Sequence, residues 1–165
     1  MLFSLLALPF SGLIAPFVWR FSRRHTGLLL AIVPAACFVW FSLQITEIAG
    51  GGALFESVAW VPMLDVALGL RLDGLALVFA LLITGIGALI VVYSGVYLHG
   101  HPQLGRFYAY LLIFMMAMLG LVLADNLIAM FVFWELTSVA SYLLISFNHE
   151  KPESRRAALQ ALLIT

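Results

Sequence analysis

Charge is what this sequence of 165 residues has least of. Asp, Glu, Lys and Arg together make up 10% of it, against about 25% in a soluble globular domain. Its eight acidic and eight basic residues cancel to a net charge of zero. That removes the bulk electrostatic case for nucleic acid or acidic substrates, and no basic patch with interleaved aromatics restores it. The single cysteine, Cys37, cannot form an internal disulfide and carries no information about redox compartment. Lying in an apolar run, it reads as a packed core residue. A glycine-rich phosphate loop, a metal-ligand triad and a nucleophile motif are all missing, so neither enzyme chemistry nor a cofactor or metal is expected. His99 and His101 stand close together in "HGHPQ", but further ligands at metal-binding spacing are lacking and the segment reads as a solvated loop. His25 and His149 border apolar stretches and read the same way.

What is abundant is hydrophobicity, 64% of all residues, the composition of a polytopic membrane protein. Five apolar stretches, 2–19, 27–46, 75–98, 107–124 and 127–147, are each long enough to cross a hydrocarbon core of about 30 Å as a helix. A sixth starts near residue 155. The expected fold is an all-α transmembrane helix bundle. The N-terminal stretch "MLFSLLALPFSGLIAPFVWRFSRR" places its apolar run before its positive charges, the reverse of a cleavable signal peptide, so it reads as a first span that stays. Arg20, Arg23 and Arg24 follow the first span, Arg106 the third, and Lys151, Arg155 and Arg156 the fifth, leaving only Arg71 on the opposite side. The positive-inside rule places those alternate loops in the cytoplasm and the N-terminus outside.

The longest outer segment runs from a triple glycine, Gly50 to Gly52, into a period-two pattern of Leu68, Leu70 and Leu72 against Gly69, Arg71 and Asp73. This predicts a short external hairpin or lid between spans two and three. In the third span Ala80, Thr84 and Ala88, with Gly85, Gly87 and Gly95 nearby, allow close helix approach, which reads as packing rather than a site.

One residue breaks the apolar pattern where it matters. Glu135, in "FVFWELTSVASYLLISF", lies about 12 Å along its span counted from Leu127, close to mid-membrane. A charge there costs roughly 2.5–3.5 kcal/mol on insertion scales and is by default functional. At about 100° per residue, Glu135, Ser138, Ser141, Tyr142 and Trp134 share one broad face, opposite Phe133, Leu136, Ala140, Leu143 and Leu144. A polar face inside a membrane must meet protein or water. A protonated glutamate serving only helix association is one reading, since desolvation favours the neutral carboxyl. The favoured one is a proton or cation relay, with the hydroxyls of Ser138, Ser141 and Tyr142 supporting a short water chain. Such a relay needs a basic partner, and no Lys or Arg of this sequence lies at that depth.

The blocks "RLDGLALVFALLITGIGALIVVYSGVYL", "DNLIAMFVFWELTSVASYLLISF" and "ESRRAALQALLIT" closely resemble the large A subunit of Mrp-type multisubunit Na⁺/H⁺ antiporters. That protein is similar in turn to the antiporter-like subunits of respiratory complex I. The resemblance covers most of residues 60 to 165; before residue 60 it rests on hydropathy. It implies that residues 1–165 are the N-terminal portion of a longer antiporter-like transmembrane domain. It further implies that Glu135 pairs with a lysine on a later helix, and that proton movement follows from making and breaking that pair. The implied setting is the bacterial cell inner membrane, as a multi-pass chain among other subunits of a hetero-oligomeric complex, with Na⁺ and H⁺ as transported ions. Two rivals stand beside it, a proton-translocating subunit of complex I or a membrane-bound hydrogenase, and a structural membrane subunit without transport.

Overall fold

The computed structural model describes residues 1–23, 25–61, 66–98, 100–148 and 152–164. Of the residues singled out above, Arg24, His99, His149 and Lys151 lie outside the described residues. The elements run α1 Leu2–Phe21, α2 Thr26–Leu43, α3 Ile45–Ala49, β1 Leu54–Val61, β2 Val66–Leu72, α4 Gly74–Tyr97, α5 Leu104–Leu123, α6 Leu127–Ile145 and α7 Pro152–Ile164. Among the described residues five helical segments are long and apolar enough to cross a membrane, α2 and α3 counting together as Thr26–Ala49. The five expected spans are therefore present, and α7 begins three residues before the expected start of the sixth.

α1 and α5 cross through small residues. A Cβ on Gly105 would meet the Cα of Pro16 at 2.8 Å, and one on Gly12 would meet the carbonyl of Ala109 at 3.2 Å, so the two backbones touch as small-residue seams in membranes allow. The start of α5 thus lies beside the end of α1. At the same level the start of α2 meets the end of α4, where Tyr108 of α5 lodges its hydroxyl between Gly27 and Gly95. Ala80, Thr84 and Gly87 of α4 are buried, with Gly87 against the Met115 thioether of α5, so the small-residue spacing of this span serves packing. Three of the buried hydroxyls return to their own helices: Ser11 donates to Leu8 O (2.7 Å), Thr84 to Ala80 O (2.6 Å) and Ser94 to Ile90 O (2.7 Å). Each is satisfied where no water would be. Cys37 is buried in the core.

The expected hairpin forms at the other end of the bundle. β1 and β2 pair antiparallel from Leu54↔Leu72, with an irregularity between Ala59 and Val61. The period-two pattern has the predicted consequence: Leu70 and Leu72 are buried, while Arg71 points out and lies over the Phe55 ring at 5.3 Å. Gly51, at φ +86°, takes the left-handed turn that follows α3, a conformation glycine adopts without strain. Asp73 caps α4, its carboxylate accepting from Ala76 N–H at 3.0 Å. The hairpin also holds the chain start: the Met1 amine lies 3.0 Å from Glu56 Oε2, which accepts Leu2 N–H at 2.9 Å.

Candidate functional site

The site is built on α6, and its position is set at the hairpin. Asn126 has extended backbone and its Oδ1 accepts from Ala129 N–H at 2.8 Å, so it is the N-cap of α6. Its other side-chain atom, Nδ2, donates to the Ala67 carbonyl of β2 at 2.9 Å. The neighbouring Asp125 N–H donates to Gly69 O at 2.9 Å, and Leu70 bridges Ala124 in antiparallel fashion. One asparagine therefore starts the helix and ties it to the sheet.

From there α6 packs on α5 along a single narrow face. Ala129 and Ala140 are buried, and the Phe133 ring fills the notch left by Gly120, where a Cβ would overlap it. Ala129 and Ala140 lie six residues before and five after Glu135, which places both about 120–140° round the helix from it. The Glu135 side chain is accordingly exposed, on the side turned away from α5. Trp134, 53% exposed, stands beside it, and Ser138, Ser141 and Tyr142 are half-buried along the same side. Glu135, Ser138 and Tyr142 fall on one line at spacings of three and four residues, with Ser141 at its border. Among the described residues the Glu135 side chain makes no hydrogen bond or ion pair, so none of them satisfies the carboxylate that α6 holds in position.

The hydroxyls behave unequally. Thr137 donates to Trp134 O at 2.6 Å, and Ser138 donates to the same carbonyl at 3.5 Å, the longer and weaker bond of the two. Asn126 and Gly120, which position α6, were not picked out from the sequence. Asn126 carried a visible signal, an Asn directly before an apolar helix. The role of Gly120 follows only from which residue lies across from it. His101 stays apart from this site: its Nδ1 accepts Gln103 N–H at 3.2 Å and its ring lies 5.0 Å from that of Phe147.

Comparison with known proteins bears on this architecture directly. The family described as NADH-Ubiquinone oxidoreductase (complex I), chain 5 N-terminus, matches residues 60–108. That described as NADH:quinone oxidoreductase/Mrp antiporter, TM, matches residues 124–165. The A1 subunit of the Na⁺/H⁺ antiporter of Staphylococcus haemolyticus is 46% identical over 155 residues, 93% of this chain and 19% of that protein. Its counterpart in Alkalihalophilus pseudofirmus, the A subunit of the Na⁺/H⁺ antiporter, is 45% identical over 156 residues, with the same two coverages. Among solved structures, the Mrp complex from Dietzia sp. DQ12-45-1b superposes with a TM-score of 0.82 at 35% identity, over 98% of this chain and 17% of the matched one. The membrane-bound sulfane sulfur reductase, an archaeal respiratory membrane complex, superposes with a TM-score of 0.75 at 18% identity, over 96% and 32%, and shares the fold.

Five apolar helices, a hairpin tied to the fifth of them and a lone mid-span carboxylate define a multi-pass membrane protein of the antiporter-like class shared with respiratory complexes. Within that class the chain is similar to the A subunits of Na⁺/H⁺ antiporters and to the Mrp complex. It spans 19% of the length of the curated relatives it matches.

Proposed function

We propose that residues 1–165 form the N-terminal portion of a subunit that exports Na⁺ in exchange for H⁺ within a multisubunit complex of the bacterial inner membrane, and that Glu135 is its relay group. The observation that carries this reading is the exposed carboxylate at the middle of α6, turned away from α5, the helix that packs along that span. A chain that sets an acid at this depth on an unsatisfied face needs another element to complete it. The relatives' names supply the class of activity.

The chemistry is a switchable ion pair. A cation beside a carboxyl favours its ionised form, and desolvation without the cation favours the protonated form. Moving a basic side chain toward or away from Glu135 therefore releases or captures a proton at its Oε atoms. The resemblance assigns the cation to a lysine on a later helix, outside these residues. Ser138, Ser141 and Tyr142 would order the water through which the proton arrives. The protein is on this reading part of a secondary transporter rather than an enzyme. The redox-coupled alternative has weaker support, because the respiratory relative is 18% identical and the antiporter relatives 45–46%.

The test is Glu135→Gln in the complete complex, with Na⁺/H⁺ exchange measured in everted vesicles and assembled complex quantified in parallel. Gln keeps the size and hydrogen-bonding capacity of a neutral glutamate but cannot ionise, so assembly survives and exchange falls to background. Glu135→Asp, shorter by one methylene, retains partial exchange with a displaced pH profile. Wild-type exchange by the Gln variant at equal complex levels would leave Glu135 a structural residue.

A further inference from the structure

The outer faces of α1 and α6 differ in polar content: that of α6 includes a carboxylate and hydroxyls, that of α1 does not. The buried face of α1 carries Ser4, Ser11, Gly12 and Ala15 beside Leu5 and Leu8. The outward stripe is made of Phe3, Leu6, Phe10, Leu13, Phe17 and Phe21, between 61% and 87% exposed. Transmembrane helices approach one another through small residues and interhelical hydrogen bonds, and this stripe offers neither, whereas α6 carries Glu135, Ser138 and Tyr142 among its exposed Phe131, Trp134 and Val139. The α1 stripe has the composition of a surface solvated by acyl chains.

The stripe ends in charge. Arg20 continues the Leu6–Leu13 line one heptad further and is exposed. The Arg23 guanidinium lies 5.0 Å from the centre of the Trp19 ring. Across the α1–α5 seam, Arg106 donates from Nη2 to Tyr110 Oη at 2.9 Å and from Nη1 to Gln103 Oε1 at 3.3 Å. These groups share one place: a Cβ on Gly105, the residue before Arg106, would lie 3.4 Å from Trp19 Cβ. Among the described residues the ion pairs are Met1 with Glu56 and Arg71 with Asp73, both at the hairpin end. Arg20, Arg23 and Arg106 thus stand exposed with no carboxylate of the described residues against them, beside the Trp and Tyr that anchor helices at a membrane interface.

We propose that this corner, where the end of α1 meets the start of α5, is a binding site for an anionic membrane phospholipid. Its headgroup phosphate is held by Arg20, Arg23 and Arg106, and its acyl chains lie along the phenylalanine stripe of α1. Guanidinium groups pair with phosphate oxygens in fork geometry, and basic clusters beside transmembrane helices select acidic lipids. The site places α1 on the lipid-facing perimeter of the complex, as α6 is placed toward its interior.

The experiment uses the complete complex, freed of reactive cysteines, with Phe21→Cys carrying a bimane fluorophore, in nanodiscs of neutral lipid. Phosphatidylglycerol or phosphatidylcholine with a nitroxide high on the acyl chain is added at equal mole fraction, and quenching is compared. Quenching by the anionic lipid should exceed that by the neutral one at least about fivefold in apparent association, the factor for a single arginine contact. Arg23→Gln with Arg106→Gln should bring the two lipids toward parity, and Arg23→Lys with Arg106→Lys should restore much of the preference. If the Gln pair does not assemble, raising the ionic strength on the unsubstituted arginines must erode the preference instead. No quenching by either lipid would mean that a protein segment covers the stripe, and equal quenching would mean no headgroup selection; each overturns the proposal.

Discussion

The α5–α6 seam makes a prediction in which one substitution changes sign with its background. Gly120→Ala adds a methyl where the nearest atoms are Cγ, Cδ1 and Cε1 of Phe133. These belong to the root and near edge of a planar ring, so swinging the far end of the side chain does not clear them and α6 itself must shift. Overpacking of this kind costs about 1–3 kcal/mol, here taken at about 2–3. Replacing a helical glycine by alanine returns up to about 1 kcal/mol of helix propensity. The net is a destabilisation of at least about 1 kcal/mol. With Phe133→Ala the obstruction is gone, and Gly120→Ala should then stabilise by up to about 1 kcal/mol, a coupling of about 2–3 kcal/mol between the positions. The assay is the temperature at which the complete complex loses its monodisperse size-exclusion peak, for the parent, both single variants and the double variant. The midpoint should fall when Ala enters the parent and rise when it enters Phe133→Ala. A fall of equal size in both backgrounds would refute the claim that the ring sets the spacing of these helices.

Three further outcomes are expected. Asn126→Ala should lower the same midpoint by the equivalent of about 1–2 kcal/mol, since both the cap and the bond to Ala67 O are lost; Asn126→Asp, which keeps the cap acceptor but not the Nδ2 donor, should recover part of that loss. The Leu2 N–H, then the Met1 amine, hold the Glu56 carboxyl below its usual range against an opposing effect of burial. Its contribution is therefore present above the ordinary carboxyl range and lost as pH falls through the lowered value. A fluorophore at Ser57→Cys should report loosening of the hairpin in acid, and Glu56→Gln should abolish that pH dependence. If the arginine-bearing loops are cytoplasmic, a cysteine at position 57 reacts with an impermeant thiol reagent added outside intact cells and one at position 103 does not; the reverse labelling would invert the orientation.

Hydropathy alone determined the number of spans, because a helix must keep its own backbone bonds in lipid and its length is set by the thickness of the hydrocarbon. Alternation at Leu68, Leu70 and Leu72 was enough to predict the hairpin, since a strand shows its two faces to different surroundings. Glu135 was visible in the sequence for a similar reason: a carboxylate in an apolar run is costly wherever the helix points, and its angular position follows from periodicity. What periodicity leaves open is which face of a uniformly apolar helix meets which neighbour, since lipid and protein are nearly equivalent partners for Leu and Phe. That choice was made by contacts between residues far apart in sequence. Gly120 receives Phe133, Gly105 meets Pro16, and Asn126 ties α6 to β2 at Ala67. Together they turn Ala129 and Ala140 inward and leave Glu135 facing out, so the tertiary structure decided where the carboxylate points.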